Sequence, residues 1–171
     1  MTIVQEQSLI STLRDKADSV SVRLWLAAHY IGEPSSIRKI LGTRWLRDRS
    51  VSVRLLIDST HLESVDTATL QLFRNRGEVR VLAGLHAKLY ICDDVCFLTS
   101  ANLTETAFGR RYEIGAMLDG PQAIEVVEVF ERWWTIGIAL DPLNASSDGT
   151  REPGTALGQL WTMPNDPDAE R

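Results

Sequence analysis

The sequence is poor in features that define several common protein classes. Two of its 171 residues are cysteine, and aromatic side chains make up 7%. Charged residues interrupt every apolar run before it reaches the roughly 18 residues that a membrane-spanning helix needs. The N-terminal residues show no basic stretch followed by an apolar segment, the pattern of a secretory leader. We therefore expect a cytoplasmic protein with no membrane partner.

The two cysteines, Cys92 and Cys96, have no second pair and no neighbouring histidine, so they match no zinc-binding pattern. We expect no metal and no cofactor. Both side chains are expected to pack as small apolar groups, and their redox state stays open. A disulfide between them requires that the two strands carrying them pair with these residues opposite each other.

The charge of the chain is unevenly distributed. The net charge is −5, but six Asp and Glu and only two Arg lie after residue 140, so the remainder is close to neutral. Within that remainder lies a basic stretch of six residues, Arg38, Lys39, Arg44, Arg47, Arg49 and Arg54. Such a stretch is typical of a surface that contacts a phosphate backbone, although it also describes a solvated helix face.

The order of apolar patterns predicts an α/β domain over residues 1–140, with a mixed β-sheet flanked by helices on both faces. Strands alternate with helices early in the chain, and a hairpin follows. Strands are predicted at 19–30, 51–58, 78–83, 85–92, 96–100 and 112–118, and helices at 5–17, 37–48, 67–76, 104–108 and 121–140. Residues 141–171 are acidic and contain Pro and Gly, which predicts an extended or partly disordered tail.

The side chains that can carry out chemistry gather in the middle of the sequence. His86 and Lys88 project from one face of a predicted strand, because side chains alternate along it, and Ser100, Asn102 and Glu113 follow. A neutral imidazole is a nucleophile that needs no metal, and an ammonium group stabilises a phosphate. Hydroxyl and amide groups donate to phosphoryl oxygens, and a carboxylate can hold the imidazole tautomer. The set predicts metal-free cleavage of a phosphodiester.

The register of the predicted hairpin decides which of these side chains meet. A three-residue turn at 93–95 places Lys88 opposite Ser100 and Cys92 opposite Cys96. A two-residue turn at 93–94 shifts the second strand by one residue and separates Lys88 from Ser100. The sequence permits both turns, and the expected chemistry favours the first.

The pattern His86-x-Lys88-x-x-x-x-Asp93, followed by Ser100-x-Asn102 in "SANLT", resembles the HKD motif of the phospholipase D superfamily and its nuclease branch. The resemblance implies a phospholipase D-like fold and a phosphohistidine formed on His86. It also implies Glu113 as the support of that histidine and Asp93 as a supporting motif residue. In place of the glycine usual before the serine, the chain has a threonine.

The resemblance further implies that two HKD motifs form each active site. This chain has one, since His29 and His61 lack a lysine two residues later. Both are expected to be structural or exposed, and for His29, which follows the first strand, the alternative is a place facing the cleft. We therefore expect a homodimeric, metal-independent nuclease acting on DNA or RNA, with Arg110 and Arg111 binding the substrate. A larger protein partner, as in a restriction or defence assembly, is expected to supply specificity. The alternatives are a phospholipid hydrolase or transferase and a partner-dependent, non-catalytic interaction subunit.

Overall fold

The computed structural model describes residues 1–140, without the side chains of His61, Gly109 and Arg110. The tail predicted at 141–171 lies outside the described residues. Within the described range, one sheet and five helices form the predicted α/β architecture. The strands are β1 (Thr2–Gln5), β2 (Arg23–Ala28), β3 (Ser52–Asp58), β4 (Glu78–Leu82), β5 (Lys88–Cys92), β6 (Val95–Thr99), β7 (Ile114–Leu118) and β8 (Ile138–Ala139). The helices are α1 (Glu6–Asp18), α2 (Pro34–Leu41), α3 (Thr67–Arg74), α4 (Glu105–Arg110) and α5 (Gly120–Ile136).

The sheet is mixed, with the strand order β1-β7-β6-β5-β2-β3-β4-β8. β2, β3 and β4 pair in parallel, and every other pairing is antiparallel. As a result, the last residues of β2 (Ala28), β3 (Asp58) and β6 (Thr99) lie at the same end of the strands as the first residues of β5 (Lys88) and β7 (Ile114). We call this side of the sheet, where these strand ends meet, the site edge.

Helices cover both faces of the sheet, and each face contributes its own apolar core. On one face, Leu26, Tyr90 and Phe97 pack in the core that includes buried residues of α1, α2, α3 and α4. On the other, Trp25 and Ile91 pack in the core that α5 covers. Burial of each such large side chain stabilises the fold by about 1.5–3 kcal/mol. The predicted fold class, with helices on both faces, is confirmed. No helix among residues 1–140 is long and apolar enough to cross a membrane.

The second helix is shorter than the predicted 37–48. It starts at Pro34, whose fixed φ suits the first helical turn, and it ends at Leu41. Gly42 follows with φ +72, and a Cβ there would lie 2.2 Å from Oδ1 of Asp18. Because only glycine fits that close approach, the chain leaves the helix at this point. The apolar pattern beyond it, at residues 44–46, belongs to a single 3₁₀ turn.

The hairpin of β5 and β6 has the two-residue turn, so the preferred register is wrong. Cys92 pairs with Val95 and Leu89 with Leu98, and Asp93 has φ +54, as short hairpin turns require. In this register Ile91 is opposite Cys96. Cys92 and Cys96 therefore project from opposite faces of the sheet, where both are free and buried, so they cannot join in a cross-strand disulfide.

Two short strands were not predicted from the sequence. β1 pairs with β7 at one edge of the sheet, and β8 pairs with β4 at the other. The predicted helix 121–140 ends at Ile136, which leaves Ile138 and Ala139 to form β8. Segments of two to four residues are too short to show a periodic pattern, and their strand state depends on the neighbouring strand.

Candidate active site

Five of the predicted site residues lie at the site edge. His86 lies two residues before Lys88, which begins β5. Ser100 and Asn102 follow β6, and Glu113 precedes β7. The antiparallel order β5-β6-β7 brings these strand ends to one place, as the motif spacing predicted. The cluster is therefore a product of local sequence order and strand pairing together.

Lys88 and His86 are in direct contact. Nζ of Lys88 lies 3.0 Å from Nε2 of His86. An ammonium group has no acceptor, so it donates this bond, and Nε2 carries the lone pair. Burial lowers the pKa of Lys88, and the charge of Glu113 opposes that effect. His86 is exposed, so its Nε2 is accessible from solvent and has a cation beside it.

Glu113 is held by Ser100. The Ser100 hydroxyl donates to the Glu113 carboxylate and accepts from the backbone N–H of Ile114 at 3.2 Å. No hydrogen bond among the described residues joins Glu113 to His86, the contact that sequence reasoning expected. The charge of this carboxylate instead acts on Lys88, whose pKa it raises. Glu113 therefore acts on the cation of the site in this arrangement.

The threonine that replaces the usual glycine, Thr99, holds the turn that follows β6. Its hydroxyl donates to the Ile114 carbonyl at 3.0 Å and accepts from the Ala101 N–H at 3.0 Å. The Ala101 carbonyl in turn accepts from the buried hydroxyl of Tyr90 at 2.9 Å, a group whose pKa burial raises. The segment that presents Ser100 is thus fixed from both sides.

Asn102 links this segment to the loop that follows β2. Its side-chain oxygen accepts from the Tyr30 N–H at 3.3 Å. Two further backbone bonds join the same loops, from Leu103 N–H to the Tyr30 carbonyl and from Gly32 N–H to the Leu103 carbonyl. This pairing brings the end of β2 next to the motif residues.

Asp93 lies at the opposite end of β5 from Lys88 and is not brought together with the reacting groups. Its carboxylate accepts from the backbone N–H groups of Ser21, Val22 and Arg23 and from the Ser21 hydroxyl. The motif aspartate therefore anchors the start of β2 to the β5–β6 turn. This is a supporting position, remote from the site edge.

Of the two arginines predicted to bind substrate, Arg110 ends α4 and Arg111 follows it. Arg111 is exposed and lies two residues before Glu113, whereas the side chain of Arg110 is outside the described side chains. Between Arg111 and Glu113, Tyr112 is 95% exposed. An exposed cation and an exposed aromatic ring thus lie beside one of the site residues.

The basic stretch predicted from the sequence does not form a single surface. Arg54 lies under α5, where its guanidinium bonds both carboxylate oxygens of Glu131 and stacks on Trp25, 4.3 Å from the ring centroid. Lys39 forms an ion pair with Glu105 at 2.5 Å. Part of this positive charge therefore stabilises the fold and is unavailable to a phosphate backbone.

Sequence reasoning missed Asp58 and left His29 between a structural place and one facing the cleft. Nδ1 of His29 lies 3.1 Å from Oδ2 of Asp58, and the rings of His29 and His86 meet edge to face with centroids 4.6 Å apart. A signal was present in the sequence, since His29 follows one buried strand and Asp58 ends the next. The carboxyl ends of parallel neighbouring strands share an edge of the sheet.

Comparison with known proteins identifies the family and the fold. Residues 13–134 match the family model described as "Cardiolipin synthase, PLD-like domain". The structure resembles NucT from Helicobacter pylori with a TM-score of 0.65 and 16% identity, over 81% of this chain and 100% of that one. It also resembles Nuc from Salmonella typhimurium, a phospholipase D family member, with a TM-score of 0.65 and 17% identity, over 81% of this chain and 97% of that one.

A third similar structure is the phosphatidylserine synthase of Haemophilus influenzae, with a TM-score of 0.60 and 15% identity over 75% of this chain and 36% of that one. Comparison with the curated proteins finds no significant match. The family model covers most of the chain, and the structural matches have the same fold. The chain therefore belongs to the phospholipase D-like family, whose members are generally phosphodiesterases.

Proposed function

We propose that the protein is a metal-independent nuclease that cleaves DNA or RNA through a phosphohistidine in a homodimeric active site. The observation that carries the proposal is the contact between Nζ of Lys88 and Nε2 of His86. It places the lone pair of the His86 ring on Nε2 and a cation where a phosphate must approach, and transfer of the Lys88 hydrogen bond to the phosphate releases that lone pair for attack.

The reaction has two displacements at phosphorus. In the first, Nε2 of His86 forms a bond to phosphorus while the bond to the leaving oxygen breaks, and the same histidine of a second copy protonates that oxygen. In the second, that histidine of the second copy removes a proton from water. The water oxygen then bonds to phosphorus and the N–P bond breaks, which restores His86. Lys88 and the side-chain N–H groups of Asn102 stabilise the charge on the phosphoryl oxygens, and Ser100, whose one hydroxyl proton goes to Glu113, holds that carboxylate in place.

Two observations support a second copy at the site. Displacement at phosphorus requires attacking and leaving groups on opposite sides of it, and one chain offers its motif from one edge only. In addition, an apolar surface near the site edge is uncovered. Ile3, Leu98 and Ile114 are 59%, 42% and 55% exposed on the face of the sheet that α5 covers elsewhere. Burial of such a patch favours association.

The nucleic-acid substrate is supported by the pair Arg111 and Tyr112 beside Glu113. Exposed aromatic rings with neighbouring cations bind single strands by stacking on bases and pairing with phosphates. The test is cleavage of labelled single- and double-stranded DNA and RNA in EDTA by the wild type, His86→Ala and the control Lys39→Ala. The proposal expects cleavage in EDTA that His86→Ala abolishes and Lys39→Ala retains, with an acid-labile phosphate adduct on wild-type protein. Cleavage that EDTA abolishes would refute it.

A second candidate substrate class is phospholipid. The family description names a cardiolipin synthase, and one similar structure is a phosphatidylserine synthase. The same histidine and lysine would act on a lipid phosphodiester, with an alcohol or water as acceptor. Release of headgroup from anionic vesicles by the wild type, with all four nucleic acids left intact, would replace the nuclease proposal with this one.

We also propose that a larger protein partner directs the nuclease, as in a restriction or defence assembly. The uncovered apolar surface can bind such a partner only if a second copy leaves part of it free. The test is affinity purification of the full chain from its own cells, followed by sedimentation. A homodimer with full activity and no second protein would refute this part.

A further inference from the structure

The segment that carries His86 is not held by the sheet. The sequence pattern predicts a strand over 85–92, but β5 begins at Lys88. Residues 83–87 therefore precede the strand and have no place in its ladder of hydrogen bonds. His86 itself is exposed. Its position for attack on phosphorus must therefore come from contacts outside the strand pairing.

Two side chains hold the peptide groups that directly precede His86. Oδ1 of Asp58 accepts from the Gly84 N–H at 3.2 Å, and Nδ1 of His29 lies 3.0 Å from the Leu85 carbonyl oxygen. Gly84 has φ +74, a conformation that glycine adopts without strain. The backbone that leads to His86 is thus held by the Asp58 carboxylate and the His29 imidazole.

His29 and Asp58 also fix each other. Both oxygens near Nδ1 of His29, from Leu85 and Asp58, are acceptors, so this nitrogen carries the proton. Burial alone raises the pKa of Asp58, but hydrogen bonds from Thr60 and Gly84 and the charge of His29 hold it below its ordinary value. The carboxylate is therefore ionised, and it orients a ring that packs edge to face against His86.

We propose that His29 and Asp58 are positioning residues that set the place and ring orientation of His86 for attack on phosphorus. They act through His86 by holding its peptide segment and one side of its ring. His29 does not serve as the acid for the leaving group, because two rings in contact cannot lie on opposite sides of one phosphorus. The role in the reaction rests on the proposed function, whereas the orientation of His86 does not.

The first test compares His29→Ala with His29→Asn, which keeps an N–H donor near the position of Nδ1. His29→Ala is expected to lower kcat about 10- to 100-fold with KM little changed. A displaced nucleophile weakens the stabilisation of the transition state but leaves substrate binding unchanged. His29→Asn should recover most of that loss. Asp18→Ala, which removes hydrogen bonds to Thr43 and Arg44 outside the site, is the control for lost stability.

The second test needs no activity. The chain has three histidines, so ¹⁵N-imidazole labelling gives few resonances, and His86→Ala assigns that of His86. We expect His29→Ala and Asp58→Asn to shift the His86 resonances, and Asp18→Ala to leave them in place. Unchanged His86 resonances in His29→Ala, or equal kcat losses in His29→Ala and His29→Asn, would overturn the proposal. Absence of any cleavage by the wild type would refute the proposed function and leave the NMR result to decide this one.

Discussion

The ammonium group of Lys88 lies 3.0 Å from Nε2 of His86, so the proposed nucleophile and the cation of the site are in direct contact. Substitution of Lys88 by Met keeps the length of the side chain and removes its charge. We expect kcat to fall about 10²- to 10³-fold, because a preorganised charge at the phosphoryl group is lost. Single-turnover cleavage measures the effect, with Lys39→Met as the surface control. Wild-type kcat in Lys88→Met would contradict the role of this lysine.

Glu113 should keep Lys88 in its charged form to higher pH. Burial lowers the pKa of Lys88, and the Glu113 carboxylate raises it, so Glu113→Gln lowers the pKa further. An NMR titration of the Lys88 ε-methylene resonance should therefore show its midpoint at lower pH in this variant. The alkaline limb of kcat/KM does not report this shift, because the proposed reaction also needs a protonated histidine. Ser100→Ala removes a hydrogen bond to Glu113 but keeps its charge, and is the matched control. A midpoint that stays in place or moves upward would contradict the coupling.

Asp93 should stabilise the fold by joining the β5–β6 turn to the start of β2. Asp93→Ala removes hydrogen bonds to three consecutive N–H groups, and we expect a loss of about 1–3 kcal/mol in the free energy of unfolding. Urea unfolding at neutral pH measures it. Asp94→Ala, at the exposed neighbour in the same turn, is the control. Equal stability of the two variants would contradict the anchoring role.

The contribution of Asp93 should also depend on pH. Burial raises the pKa of Asp93, but the N–H groups of Arg23, Ser21 and Val22 hold it below its ordinary value. The unfolded chain therefore binds the proton at higher pH than the folded chain. Stability from this group is present above the ordinary aspartate pKa and is lost as pH falls through the folded-state value. From neutral to acidic pH, the free energy of unfolding should fall less steeply in Asp93→Ala than in the wild type. An equally steep fall in the variant would refute this.

Cys92 and Cys96 should stay reduced and unreactive in the folded protein. They project from opposite faces of the sheet, and burial raises the pKa of Cys96 to about 11 and that of Cys92 further. Thiol reagents should label both cysteines rapidly in denaturant and slowly in native buffer, since the thiolate is the reactive form. Mass spectrometry after mild oxidation is expected to show two free thiols. An intramolecular disulfide formed without unfolding would contradict the observed register.

Tyr112 should bind nucleic acid by stacking. It is 95% exposed beside Arg111, and loss of a base–aromatic contact costs about 1–3 kcal/mol. Tyr112→Ala is expected to raise KM for an oligonucleotide while leaving cleavage of a small phosphodiester without bases unchanged. Tyr112→Phe, which keeps the ring, is the control. Equal effects on both substrates would point to a structural role instead.

Local patterns in the sequence were sufficient for the fold class and for most of the site. Alternating apolar residues predicted six of the eight strands in the described chain, and the motif spacing placed His86, Lys88, Ser100, Asn102 and Glu113 at one edge. Both results depend on the period of strands and helices and on short connections, which are properties of neighbouring residues. The HKD resemblance predicted the family, which the family model confirms, and the reaction at this cluster stays a proposal.

Tertiary structure determined the register of the β5–β6 hairpin, the end of α2 and the position of His29 beside His86. The turn type depends on Asp93 meeting the N–H groups of residues 21–23, about seventy positions earlier in the chain. The end of α2 depends on the close approach of Asp18 to Gly42. His29 reaches His86 because β2 and β5 pair antiparallel with Ala28 opposite Lys88, and it reaches Asp58 because β2 and β3 pair in parallel. Each outcome is set by contacts between distant segments, which a pattern of neighbouring residues does not contain.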